Sequence, residues 1–215
     1  MQDPYYQDDH CTIYHGDCRD LLPALTGDVV LTDFPYGIGL DYGEHFDDTP
    51  EYLDELVTTT LPLMRNAAPV VALTCGVANI SRYPAPTWTL CWYMANACSS
   101  TGKWGFNQWQ PILAYGTDPY LRQGMGRRPD LVITAAPNNG MDKRNGHPCP
   151  KPIEAWSKIL GRVSPTEGEA ILDPFMGSGS TLVAAKYSGR RAIGVEIEER
   201  YCEIAAKRLG QEMLF

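Results

Sequence analysis

The stretch Ile171-Leu172-Asp173-Pro174-Phe175-Met176-Gly177-Ser178-Gly179-Ser180-Thr181 runs on through an alanine-rich segment to Arg191-Ala192-Ile193-Gly194-Val195-Glu196, and it decides the fold. It reads as strand, glycine turn, helix, strand. Gly177 and Gly179 let backbone approach a ligand closely, and Ser180 or Thr181 is placed to cap the helix that begins there. Glu196 ends the second strand about 20 residues on, where a doubly wound fold sets the carboxylate that accepts ribose hydroxyls. An ordinary tight turn would explain a lone glycine pair. Asp173, both glycines and Glu196 together point to a nucleoside-binding turn.

The missing residues narrow the nucleoside. A dinucleotide fingerprint places a third glycine near position 182 for close helix packing under a pyrophosphate, and the chain has Leu182 there. No lysine follows Gly179, which excludes a Walker loop.

With 215 residues and 44% hydrophobic content, the chain is expected to form one domain. The start Met1-Gln2-Asp3-Pro4-Tyr5 is neither basic nor apolar, and no run approaches the length of a membrane span, so a cytoplasmic protein is expected. The 7 cysteines include no Cys-x-x-Cys pair and lie mostly within apolar patterns, as reduced core thiols do. Nothing calls for a metal.

A net charge of −8 opposes phosphate contact, but the distribution is uneven. Residues 1–100 hold 3 basic and 14 acidic side chains, residues 101–151 hold 7 and 3, and residues 152–215 hold 8 and 9. The basic segment contains Lys103, Arg122, Arg127, Arg128, Lys143, Arg144 and Lys151 among Gly, Asn and Trp. It reads either as a polyanion surface or as a solvated loop with scattered charges.

In chain order, residues 1–10 are polar and acidic, a fraying terminus. Thr12-Ile13-Tyr14 is a short strand ending at Gly16-Asp17, and Cys18 to Leu25 carries a helical pattern. Asp17 therefore sits where open α/β sheets bind ligands, or caps the following helix. Val29-Val30-Leu31-Thr32 is a strand buried on both faces. The acidic, Gly-rich segment from Gly37 to Asp48 has the composition of a lid. A helix from about Pro50 to Asn66 leads to the strand Val70–Thr74. Thr87–Tyr93 and Pro111–Tyr115 are further strands, with residues 99–107 a loop, Leu131–Thr134 a short strand and residues 137–150 irregular. A helix follows Pro152, then the strand before the glycine turn, and the last helix carries Tyr201, Ile204, Ala205 and Leu209 on one side.

The second constellation, Asp33-Phe34-Pro35-Tyr36, ends a buried strand. An exocyclic amino group on a nucleobase is a poor nucleophile because its lone pair is delocalised into the ring. Two acceptors on its hydrogens, the Asp33 carboxylate and a backbone carbonyl, would pyramidalise the nitrogen. Pro35 holds Phe34 extended and can aim its carbonyl, while Tyr36 offers a flat face for a base swung out of the duplex. Alone, such a tetrapeptide is more often a strand ending in a proline turn.

Together these motifs resemble the DNA amino-methyltransferases, whose tetrapeptide is usually Asp-Pro-Pro-Tyr or Ser-Pro-Pro-Tyr. The likeness covers Ile13 to Cys18, the tetrapeptide, His147-Pro148 with Lys151-Pro152, Asp173 to Thr181, and Glu196 to Leu209. The order, catalytic half before cofactor half, is similar to that of the permuted branch that includes many phage and restriction-modification enzymes. The resemblance implies a single α/β domain with a doubly wound, mostly parallel sheet, divided into a catalytic half at 11–98, DNA-contacting loops at 99–150 and a cofactor half at 151–215. It implies S-adenosylmethionine as cofactor. Asp17 would lie near its adenine amino group; Asp173, Phe175, Gly177 and Gly179 would surround its methionine part; Glu196 would hold the ribose; Lys151 and the helix after it would close the pocket; Cys18, Asp33, Ser180 and Thr181 would also bind it. Asp33, Phe34, Pro35 and Tyr36 would be catalytic. Phe34 departs from the family in standing where the first proline usually does, which leaves an extra N–H and a looser φ.

The implied reaction is methyl transfer to adenine N6, since Asp at the first tetrapeptide position goes with adenine more often than with cytosine; cytosine N4 is the alternative. A homologue that binds DNA and cofactor without turnover, and an RNA or protein-amide methyltransferase, are the other readings. Double-stranded DNA is the expected partner. Lys103, Arg122, Arg127, Arg128, Lys143 and Arg144 are the expected phosphate contacts. With only about 50 residues left for base reading, the target is expected to be short or relaxed, with a second subunit helping to grip the duplex.

Overall fold

The computed structural model describes residues 2–39, 48–95, 101–102, 105–135 and 151–211. In chain order the elements are β1 (Tyr6–Gln7), β2 (Cys11–His15), α1 (Cys18–Leu21), β3 (Val29–Asp33), α2 (Pro50–Ala67), β4 (Val70–Thr74), β5 (Trp88–Ala95), β6 (Thr101–Gly102), β7 (Gly105–Phe106), β8 (Trp109–Gly116), α3 (Pro119–Arg122), β9 (Leu131–Ala135), α4 (Ile153–Val163), β10 (Ala170–Asp173), α5 (Ser180–Tyr187), β11 (Arg191–Glu196) and α6 (Glu199–Gly210). Nine strands form one sheet in the order β1-β2-β11-β10-β3-β4-β8-β5-β9. The pairs β2–β11, β11–β10, β10–β3, β3–β4 and β5–β9 are parallel, and β1 and β8 run against their neighbours.

The continuous apolar strands are explained by two cores. Along β3 and β4, Val29, Leu31, Val70 and Ala72 point to the face covered by α4, α5 and α6, while Val30, Val71 and Leu73 point to the face covered by α1 and α2. Every side chain of such a strand is therefore buried, and no polar alternation survives. The predicted face of α2, with Leu53, Leu56, Val57, Leu61 and Met64, packs into the second core. On α4, Trp156, Ile159 and Leu160 pack into the first. The sheet is thus doubly wound. Its switch point lies between β10 and β3, the junction at which such folds bind ligands.

Two local expectations are corrected. The amino terminus is tied down rather than frayed, because Tyr6 and Gln7 pair with Ile13 and Thr12 and Asp8 forms an ion pair with Lys186 at 2.6 Å. The segment expected as a loop at 99–107 contains the short β6–β7 ladder. The lid expectation for Gly37–Asp48 falls largely outside the described residues; the described stem is pinned, with Asp48 accepting from Gly37 N at 2.7 Å and Ile38 N at 3.0 Å. The five cysteines among the described residues are free, and burial pushes the Cys11, Cys18, Cys75 and Cys202 thiols up to about 12. Among the described residues no helix is long and apolar enough to cross a membrane.

Candidate active site

Parallel strands deliver their last residues to one edge, so the chemistry predicted from separate motifs is gathered in strand order. Asp17 follows β2, Glu196 ends β11, Asp173 ends β10, Asp33 ends β3 and Thr74 ends β4. In front of this edge lies a cleft of about 970 Å³, counting its open mouth. Its lining includes Asp17, Cys18, Asp33, Phe34, Pro35, Lys151, Asp173, Phe175, Gly177, Ser180, Thr181 and Glu196. Carboxylates and apolar rings share this lining, the mixture a small-ligand cleft presents.

Glu196 binds the glycine turn to its own strand: Oε2 accepts from Gly177 N and Oε1 from Glu198 N, both at 2.9 Å. Burial pushes its carboxyl up to about 7, against the pull of those two amides. Asp173 accepts from Thr32 Oγ1 at 2.6 Å and Phe175 N at 3.1 Å, and from the Thr181 hydroxyl, which in turn accepts from Trp156 Nε1. Burial raises the Asp173 carboxyl to about 6, the hydrogen bonds opposing. Asp17 does two jobs at once. Its Oδ1 caps α1 through Arg19 N at 2.8 Å, and both oxygens are held by the Arg19 guanidinium. Burial alone would raise this carboxyl, but the Arg19 bonds outweigh it and leave it below the ordinary range.

The turn residues share the work differently from the expectation. Gly177 has φ +51° and lines the cleft. Gly179, with φ +80°, is outside the lining; a Cβ there would stand 2.8 Å from the Ala205 Cβ, so its glycine is required by the packing of α6 and by the left-handed backbone. Neither Ser180 nor Thr181 caps α5. The N-cap is Gly179, Ser180 Oγ donates to Lys151 O at 3.0 Å, and Thr181 is spent on Trp156 and Asp173.

Asp33 is shared between the cleft and a second cluster. Its Oδ1 accepts from Thr74 Oγ1 at 2.5 Å and lies 3.0 Å from the Tyr36 hydroxyl, which is 2.8 Å from Gln110 Oε1. Its Oδ2 is paired with the Lys151 ammonium, which also sits 5.2 Å above the centre of the Tyr36 ring. Asn79 Nδ2 donates to Tyr36 O at 2.6 Å and fixes the end of the tetrapeptide. Tyr36, Thr74 and Gln110 lie outside the cleft lining. Phe34 is only 1% exposed; its ring meets Phe175 and Tyr83 edge to face, at 4.7 and 5.7 Å between centres. Its extra N–H donates to Thr74 O at 3.3 Å.

Within the basic segment, Arg122, Arg127 and Arg128 lie apart from the cleft. Because β8 runs antiparallel to β4, pairing Gly116 with Val70, it carries the chain to the amino edge of the parallel strands. Residues 117–130 stay there, held by Arg162–Asp118 at 2.6 Å and Gln123–Glu169 at 2.9 Å, before β9 climbs back beside β5. Arg122, Arg127 and Arg128 are thus at the opposite edge from Asp33, with Arg128 stacked 4.8 Å over Tyr120. Lys103, Lys143, Arg144 and the His147-Pro148 pair lie outside the described residues.

Arg19, Thr32, Thr74, Asn79 and Gln110 hold the predicted residues by hydrogen bonds and escaped motif reading. Thr74 was within reach, as the polar end of an apolar strand next to Asp33. Gln110 had no local signal, since only the placement of β8 brings it to this edge.

A family model described as DNA methylase matches residues 98–207. The putative methylase YubD of Escherichia coli (strain K12) is 31% identical, over 91% of this chain and 88% of its own. Among solved structures, PvuII DNA methyltransferase (cytosine-N4-specific) superposes with a TM-score of 0.71 at 14% identity, covering 99% of this chain and 90% of the other. The M1.HpyAVI–SAM complex gives 0.67 at 21% identity, covering 94% and 100%.

Proposed function

The chain belongs to the DNA methylase family of adenine-N6 and cytosine-N4 amino-methyltransferases, and from that premise we propose that it methylates adenine at N6 in duplex DNA, with S-adenosylmethionine as donor. The observation that carries the reading is the placement of Asp33: one carboxylate borders the cleft on one side and the Tyr36 cluster on the other. A methyl donor and an amino acceptor held in those two places would meet at Asp33.

The residues present fit the donor. Glu196 and Asp17, at the ends of the neighbouring strands β11 and β2, offer carboxylate oxygens to the lining, and Phe34 and Phe175 give it apolar walls. When bound, S-adenosylmethionine supplies an electrophilic sulfonium methyl. Glu196 would accept the ribose hydroxyls, and Asp17, fixed by Arg19, would accept from the adenine amino group. Lys151 and the start of α4 close the cleft over Ser180. The related M1.HpyAVI was crystallised with this molecule, which supports the assignment.

At the acceptor, Asp33 Oδ2 and the Phe34 carbonyl would each take an amino hydrogen, drawing the nitrogen lone pair out of the ring. Tyr36 would stack on the extruded base. Both the oxygen and the ring face are covered by the Lys151 ammonium, so the base enters by displacing it. The nitrogen would gain the methyl as the bond from that methyl to the sulfonium sulfur breaks, leaving a neutral thioether, and would release one proton to solvent; the rate gain comes from alignment.

Asp33 rather than Ser favours adenine. Cytosine N4 is the second reading, favoured by the likeness to the PvuII enzyme. Labelled methyl transfer to mixed-sequence DNA tests the assignment. Transfer should vanish in Asp33→Ala while cofactor binding persists; equal transfer by the variant would remove Asp33 from the mechanism.

A further inference from the structure

Gln110 is brought to the acceptor cluster by β8, whose first residues reach the carboxyl edge because the strand runs against β4, pairing Ile112 with Thr74. Its Oε1 lies 2.8 Å from the Tyr36 hydroxyl, which lies 3.0 Å from Asp33 Oδ1. Tyr36 has one proton and faces two acceptors. The carboxamide NH2 has no partner among the described residues and is not sealed from solvent, unlike the Tyr83 hydroxyl. Turning the carboxamide by half a turn would give that hydroxyl one acceptor and one donor, and in either orientation an amide N–H is left over near the Asp33 carboxylate, one hydroxyl between them.

Adenine and cytosine share one feature on the edge that a base exposes when it leaves the duplex: an amino group next to a ring nitrogen that accepts. Guanine presents a carbonyl and an N–H there instead. We infer that Gln110 reads that ring nitrogen, donating its amide N–H while Asp33 accepts from the neighbouring amino group. Gln110 is then a specificity-determining residue that holds the amidine edge in register. The inference rests on the function proposed above.

The test is single-turnover transfer of labelled methyl to a duplex carrying one site mapped with the parent protein, compared with the same duplex bearing 1-deazaadenine at the target. If the mapped base is cytosine, 3-deazacytosine replaces it. Parent, Gln110→Ala and the near-isosteric Gln110→Met are each measured on both duplexes, so every protein is its own reference and a partly misfolded fraction cancels. The deaza substitution should slow the parent about tenfold or more, the value of one hydrogen bond in a desolvated site, and slow either variant less than about threefold. An equal penalty in all three proteins, or no penalty in the parent, overturns the assignment. Failure of the parent on the unmodified duplex would remove the proposed function and this inference with it.

Discussion

The backbone N–H of Phe34 donates to the carbonyl of Thr74 at 3.3 Å, continuing the β3–β4 ladder one residue beyond the Asp33–Thr74 pair. Proline, the family's usual residue here, cannot make this bond. The Phe34 ring is also sealed between Phe175 and Tyr83. Asp33 is thus aimed by a bonded strand end as well as by Thr74 Oγ1.

Phe34→Pro should therefore destabilise the protein despite restoring the family pattern. Loss of a buried aromatic ring costs about 3 kcal/mol or more, and the orphaned Thr74 carbonyl adds to it. Denaturant unfolding measures this. An unchanged midpoint would mean that the ring and the N–H contribute nothing.

Gly179→Ala tests the corrected role of that glycine. Its φ of +80° costs an L-residue about 1–2 kcal/mol, and the new Cβ would stand 2.8 Å from Ala205 Cβ. Adding Ala205→Gly should recover the clash but not the backbone cost. A double-mutant cycle with no coupling would reject the packing explanation.

Glu196 sets a pH dependence. Its folded carboxyl is raised to about 7, so the empty protein holds a proton that the unfolded chain has released, and this group's contribution to stability falls as pH rises through the window up to 7. Ribose hydroxyls favour the ionised form. Cofactor affinity should therefore drop as pH falls below 7, by up to about tenfold per unit, and Glu196→Gln should bind weakly with a flatter profile. Calorimetric titration from pH 5.5 to 8 checks it; the same slope in both proteins would assign the dependence elsewhere.

Arg127→Ala with Arg128→Ala should leave DNA affinity and its salt slope unchanged, the reverse of what the charge pattern suggests. Each phosphate contact contributes about −0.9 to the slope of log K against log salt. A fall of one to two in the magnitude of that slope would return these arginines to the DNA interface.

The glycine turn and the tetrapeptide were legible because each combines a strand buried on both faces with a polar residue at its end, and parallel strands place such ends together. Glu196, Asp173, Asp33 and Asp17 were found this way. What local pattern could not carry was long-range pairing. The insertion of β8 between β4 and β5 in reverse direction decides both that Arg127 leaves the site and that Gln110 enters it. Gly179 shows a related point: a glycine required by Ala205, 26 residues later, looks the same in sequence as one required by a ligand.

Digestion of treated DNA to nucleosides, with mass identification of the methylated product, tests the central claim most directly. The parent protein should yield N6-methyladenine in the presence of S-adenosylmethionine, and Asp33→Ala should yield none. N4-methylcytosine alone, or N6-methyladenine from both proteins, would contradict it.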